Sequence, residues 1–104
     1  MTFNNKVIWI TGASSGIGKA VALELSKYNC KLILSSRRTT VLNDVKKECL
    51  QPKNVEVLQL DLADYQTMPT IVTKAISLFG NIDILINNGG ISQRSLIIDT
   101  AIEV

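Results

Sequence analysis

Short unbroken apolar runs alternate along this chain with longer stretches in which apolar residues recur every three or four positions. Val7-Ile8-Trp9-Ile10 is bounded by polar residues and Gly12, the pattern of a strand buried on both faces. From Ile17 the apolar residues fall at Ile17, Ala20, Val21, Leu25 and Tyr28, a helical spacing that leaves Lys19, Glu24 and Lys27 outside the stripe. Lys31 to Ser35 reads as a second strand. Thr39 to Leu50 reads as a second helix, with Val41, Leu42, Val45 and Cys49 inward and Lys46, Lys47 and Glu48 on a solvated face. Val55 to Leu60 is a third strand. A third helix begins at Asp64 or Thr67 and ends at Phe79, with Met68, Ile71, Val72, Ala75, Ile76 and Phe79 as its buried stripe. Pro69 fits only in its first turn, Asp64 is read as its cap, and Gly80-Asn81 stops it. Ile82 to Ile86 is a fourth strand. A polar, Gly-containing loop follows, and Thr100-Ala101-Ile102-Glu103 has the form of a capping box that opens another helix.

Strands that alternate with helices predict a parallel sheet with right-handed crossovers. The expected fold is α/β: the N-terminal half of a Rossmann-type doubly wound sheet, strand order 3-2-1-4, in three α/β/α layers. One helical turn after residue 100 is too little to stand alone, and strand four is expected at an open edge although it looks buried on both faces. Residues 1–104 are therefore read as the N-terminal part of one domain, the remaining half lying in a longer parent.

Composition narrows the function. The 104 residues carry 11 Lys plus Arg and 9 Asp plus Glu, a net charge of +2, with 5% aromatic residues. That balance argues against a nucleic-acid binder, which needs a basic stripe or a stacking platform. No apolar run reaches the ~18–20 residues of a membrane-spanning helix, and Met1–Lys6 is no signal peptide. Cys30 and Cys49 have no CxxC spacing and read as reduced thiols of an intracellular protein. With no His, a metal site is not expected.

The chemistry concentrates at the ends of the strands. Thr11-Gly12-Ala13-Ser14-Ser15-Gly16-Ile17-Gly18 joins the first strand to the first helix. Glycines there let the backbone turn sharply and approach a ligand, and the helix N-terminus offers N–H groups and partial positive charge to a pyrophosphate. The plainer alternative is a tight turn that binds nothing. At the end of strand two, where an acidic residue would accept from an NAD ribose, stand Ser35-Ser36-Arg37-Arg38. Two arginines at the start of a helix oppose its dipole, a conflict that a bound 2′-phosphate would remove. The reading is NADP(H), with Arg37 as the main phosphate ligand and Arg38 supporting it or stacking on adenine; the alternative is that both are merely solvated. Trp9, in the central strand, is read as core, and Asp83 has no role in this pattern.

The spacing TGxxxGxG resembles the short-chain dehydrogenase/reductase family. So do Asn87-Asn88-Gly89-Gly90 after strand four, where the family usually has NNAG, and Asp61-Leu62 at the end of strand three, where the family places an Asp near the adenine. The stretch from Asn87 to Ser95 looks most like the retinal- and steroid-reductase-like members. The resemblance implies cofactor contacts from Gly12, Ser14, Ser15, Gly16, Ile17, Gly18, Ser36, Arg37, Arg38, Asp61, Leu62, Asn88, Gly89 and Gly90, with Asn87 tying strand four to its neighbours. Turn chemistry is the alternative for the asparagines, and capping of the next turn for Asp61. Gly89 replaces the family's Ala, which leaves the backbone contacts in place. The family's catalytic Ser and Tyr-x-x-x-Lys are expected beyond residue 104: Tyr28 is followed four residues later by Leu32, and Tyr65 by Pro69. The implied function is an NADP(H)-dependent oxidoreductase acting on a lipophilic carbonyl or alcohol, retinoid- or steroid-like, of which this stretch holds the cofactor half. The alternative is a non-catalytic dinucleotide-binding or regulatory module. The resemblance further implies a homo-oligomer, with no nucleic-acid partner, in the cytoplasm or at the endoplasmic reticulum, and is compatible with a membrane anchor on the parent.

Overall fold

The computed structural model describes residues 3–61, 63–88 and 96–98. Strands β1 (Val7–Thr11), β2 (Lys31–Ser35), β3 (Val55–Val57) and β4 (Ile84–Asn87) alternate with helices α1 (Gly16–Leu25), α2 (Thr39–Glu48) and α3 (Met68–Phe79). The four strands are parallel and lie in the expected order β3-β2-β1-β4. Register is continuous across the centre: Trp9 stands beside Ile33 on one side and Leu85 on the other.

Because side chains alternate across a strand, each central strand feeds two cores. Ile8, Ile10, Leu32, Leu34, Ile84 and Ile86 face the layer of α1 and α2, where they meet Ala22, Leu25, Leu42 and Val45. Val7, Trp9 and Ile33 face α3, with Leu60, Ala75 and Ile82. Trp9 is core, as expected, and its buried Nε1–H donates to Ser35 Oγ at 2.8 Å, so the one polar atom of the indole is satisfied. Asp83 gains a role that the pattern did not show. Its Oδ2 accepts from the Val7 N–H at 2.8 Å, and its own N–H donates to the Val7 carbonyl at 2.9 Å, closing β1 onto the entry of β4.

The structure corrects several expectations. On α1 the buried face is Gly18, Ala22 and Leu25, whereas Ile17 is 66% exposed, Tyr28 47% exposed, and Ala20 also faces out. Apolar spacing misassigned the face because the residues that touch the sheet are the small ones. The helix stops at Leu25 because the next N–H groups tighten into i→i−3 bonds, Lys27 to Glu24 and Tyr28 to Leu25. β3 is shorter than Val55–Leu60, yet Leu58 and Leu60 still donate to Leu34 and Ser36 of the β2 segment, so the ladder continues past the strand proper. Asp64 is not the cap of α3. That position belongs to Thr67, and Asp64 contributes its carbonyl, which accepts from both the N–H and the hydroxyl of Thr67 across a 3-10 turn. Pro69 does sit in the first turn, and Gly80, at φ 94°, ends the helix. β4 is not an open edge: Leu96–Ile98 form β5, antiparallel to β4, where a polar loop was expected. The Thr100–Glu103 capping box lies outside the described residues.

Candidate functional site

β1 runs directly into the glycine-rich turn. Gly12 and Gly16 adopt φ of 66° and 60°, a region where a Cβ is strained. Gly18 is needed for a different reason. A Cβ there would lie 2.7 Å from the Gly12 carbonyl carbon, closer still to its oxygen, and 2.8 Å from Asn88 Nδ2. Only glycine lets α1 start this close to the end of β1. In front of the helix the situation reverses, since a Cβ on Gly16 would meet nothing within 4 Å. Ser15, at the N-cap, makes no side-chain cap bond, and the first turn carries no acidic residue. The first N–H groups and the positive end of the α1 dipole therefore have neither a side-chain cap nor a first-turn carboxylate, an arrangement that can receive an anion.

Thr11, which was not among the expected site residues, anchors this turn. Its buried hydroxyl donates to Asn87 Oδ1 at 2.8 Å and accepts from the Asn88 N–H at 3.0 Å. On the other side the Ala13 N–H donates to the Ser35 carbonyl at 3.1 Å. The turn is thus pinned to both neighbouring strands. Asn87 ties β4 to β1 through its side chain, and the Asn88 amide packs against Gly18. Only the TGxxxGxG motif itself pointed to Thr11, as its first residue.

At the end of β2, Ser35 is fully buried while Arg37 and Arg38 are exposed. Ser36 Oγ accepts from the Arg38 N–H at 3.1 Å, and the Ser36 carbonyl accepts from Leu60 N–H at 2.9 Å. The Arg37 carbonyl accepts from Gln59 Nε2 at 3.0 Å. Arg38 is the N-cap residue of α2, without a side-chain cap bond, and the first turn of α2 holds no acid. Among the described residues neither arginine forms an ion pair within 4.0 Å. By contrast Glu24, Glu48 and Glu56 pair with Lys27, Lys19 and Lys46.

Asp61 is exposed. Its Oδ1 accepts from the Ala63 N–H at 2.9 Å, so it does cap the following turn. It also lines, with Arg37 and Leu60, a cavity of about 620 Å³ at the end of β3. The structure brings Gly12 and Gly18 together with Asn88, and brings Arg37 to the same cavity as Asp61. Ile17 stands exposed on the first turn of α1. Leu62, Gly89 and Gly90 lie outside the described residues. No group of three or more Cys, Asp or Glu among the described residues could hold a metal.

The family model for short chain dehydrogenases matches residues 6–103. The human protein "Dehydrogenase/reductase SDR family member 7" is 48% identical over 103 residues, which is 94% of this chain and 30% of that protein. The fission yeast (Schizosaccharomyces pombe) "NADP-dependent 3-hydroxy acid dehydrogenase" is 41% identical over 92 residues, covering 86% of this chain and 36% of that one. Among solved structures, L-sorbose reductase from Gluconobacter frateurii, complexed with NADPH and L-sorbose, superimposes with a TM-score of 0.75 at 34% identity, covering 86% of this chain and 35% of that one. The chain spans about a third of the length of the curated relatives it matches.

Proposed function

Since this chain belongs to the short-chain dehydrogenase/reductase family, we propose that it forms the NADP(H)-binding half of an oxidoreductase whose substrate is a lipophilic carbonyl or alcohol, retinoid- or steroid-like. The observation that carries the cofactor choice is the β2–α2 turn. It presents Arg37 and Arg38, exposed and without an ion pair among the described residues, at the start of a helix with no acid in its first turn. A 2′-phosphate would be attracted there, and nothing in Ser36–Arg38 would accept from an unphosphorylated ribose as a carboxylate does. The name of the yeast relative and the NADPH in the sorbose reductase structure support the same choice.

The residues fit such a cofactor in three places. The pyrophosphate goes to the open N-terminus of α1, with Gly12, Ser14, Ser15, Gly16, Ile17 and Gly18 around it. The 2′-phosphate goes to Ser36, Arg37 and Arg38, and the adenosine to Asp61, Leu62, Asn88, Gly89 and Gly90. When bound, the cofactor supplies or accepts the hydride. These residues bind and orient it, and the Ser, Tyr and Lys that handle the proton are assigned to the chain beyond residue 104. The lipophilic substrate rests on the resemblance of Asn87–Ser95. The proposal extends to a homo-oligomer in the cytoplasm or at the endoplasmic reticulum; Cys30 and Cys49 are both free and buried, as fits thiols kept in a reducing cytosol.

The test is titration of the full-length protein with NADPH and NADH by nicotinamide fluorescence at fixed salt, followed by NADPH oxidation with lipophilic and polar carbonyls. NADPH is expected to bind more tightly. Arg37→Ala is expected to weaken NADPH by roughly ten- to a hundredfold, one charge-assisted contact of ~1.5–3 kcal/mol, and NADH far less. Equal losses for both cofactors would remove the NADP(H) assignment. Binding without turnover of any carbonyl would favour a regulatory module.

A further inference from the structure

The cavity at the end of β3 has a second wall that the family motifs do not include. Opposite the β2–α2 turn with Arg37, it is lined by Thr67, Thr70, Ile71 and Lys74. Their spacing puts all four on one stripe of α3 and its cap. The volume of about 620 Å³ lies within the range of small-ligand sites.

Ion pairs are the exception among the described cations, since Lys6, Lys31, Arg38, Lys47 and Lys53 form none, and what sets Arg37 and Lys74 apart is that they are the two cations lining this cavity. Lys19, Lys27 and Lys46 each reach a carboxylate, at 3.2, 3.1 and 3.9 Å. Arg37 and Lys74 share a cavity with Asp61 and Asp64, yet among the described residues neither comes within 4.0 Å of a carboxylate oxygen. Two cations from separate elements thus look into one cavity without a partner of their own. The turn that carries Arg37 is braced towards it, because Gln59, also on the lining, holds the Arg37 carbonyl. A phosphate monoester carries about −1.5 to −2 charges at neutral pH, and a cation facing it from a second element adds attraction to that of the β2–α2 turn.

We propose that Lys74 is a further cation, beside Arg37 and Arg38, for the 2′-phosphate of the cofactor, acting across the cavity from Arg37, and so a determinant of NADPH over NADH. This rests on the NADP(H) reading above. As a flexible point charge, Lys74 adds attraction rather than the planar geometry that Arg37 supplies.

The experiment compares Lys74→Met, Lys74→Gln and Lys74→Arg with Arg37→Ala and with Lys53→Met, an exposed lysine that does not line the cavity. Each is made in the full-length protein and titrated with NADPH and NADH over a range of salt. The two neutral variants at 74 are expected to weaken NADPH about three- to tenfold, to move NADH less than about twofold, and to flatten the salt dependence of NADPH binding. Lys74→Arg should restore NADPH binding, and Lys53→Met should leave both cofactors unchanged. If Arg37→Ala lowers the preference for NADPH and neither neutral variant does, the role of Lys74 is refuted and the NADP(H) reading stands. If Arg37→Ala lowers both cofactors equally, both fall together. Equal weakening of NADPH and NADH by the Lys74 variants would assign the residue a structural role and overturn the proposal.

Discussion

Gly18→Ala sets two known effects against each other. In a helix interior, alanine is better than glycine by about 0.8–1.0 kcal/mol, and Gly18 lies inside α1, so propensity alone predicts stabilisation. The packing predicts the opposite. The added methyl would sit against the Gly12 carbonyl and 2.8 Å from Asn88 Nδ2. Asn88 could turn aside, but the Gly12 atoms are backbone, held between Thr11, which is bonded to Asn87, and Ala13, which is bonded to Ser35. Relief therefore requires α1 to move off the sheet. Overpacking of this kind costs about 1–3 kcal/mol, and a rigid backbone partner puts it towards the upper end. The net expectation is a loss of about 1–2 kcal/mol. Urea unfolding of the full-length protein reads this directly: with a slope of about 2 kcal/mol per molar, the midpoint falls by roughly 0.5–1 M with the slope unchanged. A midpoint that stays or rises would mean that α1 is not seated against Gly12, and the account of the turn would be withdrawn.

Two further expectations follow from single contacts. Thr11→Val keeps the shape and the β-branching but removes a hydroxyl that donates to Asn87 and accepts from Asn88; a loss of about 1–3 kcal/mol is expected by denaturant unfolding, and one below about 0.5 kcal/mol would show that the hydroxyl is not an anchor. Burial pushes both thiols above their ordinary pKa of 9.0, with the Glu48 charge adding at Cys49 and a hydrogen bond with Ser26 opposing it. The folded state then holds thiol protons that the unfolded chain releases, so their contribution to stability is intact below 9.0 and is lost as pH rises from there through the raised values. Unfolding measured across that range should show a shallower decline in Cys30→Ala and Cys49→Ala than in the parent, and parallel curves would contradict the assignment.

Much of this was legible in the order of residues, for reasons that differ by region. Buried parallel strands leave continuous apolar runs, so β1, β2 and β4 could be placed to within a few residues, and the alternation gave the sheet order. The glycine-rich turn was legible where the backbone itself needs glycine, at Gly12, Gly16 and Gly18. The site was not legible where side chains from distant parts of the chain meet. Thr11 meets Asn87 across 76 positions, Asp83 meets Val7 across 76, and Gln59 reaches Arg37 across 22. No local period encodes such pairs. The stripe on α1 failed because apolar spacing cannot see that close approach selects small residues. β5 was missed because the three apolar residues Leu96, Ile97 and Ile98 sit within a polar stretch, and their antiparallel partner is a property of the sheet edge.

The helix starts tie the fold to the proposed chemistry. In a doubly wound sheet the helices that follow β1, β2 and β3 all begin at the carboxyl ends of the strands, the side where ligands bind. A side-chain cap contributes about 1 kcal/mol, and an acid in the first turn adds to it. Here α1, α2 and α3 have neither. The residues are not at fault in two of the three cases, since Ser15 and Thr67 are good capping types. Neither hydroxyl caps its helix, and that of Thr67 bonds backward to the Asp64 carbonyl instead. At the third, Arg38 puts positive charge against a positive dipole end. Stability is thus left unused three times on one side of the sheet, with Arg37, unpaired among the described residues, beside the start of α2. An anionic ligand would answer all of these uncompensated positive ends at once, whereas intrinsic caps would compete with it. The proposed dinucleotide site would account for the missing caps at α1 and α3, where Ser15 and Thr67 are capping residue types that do not cap.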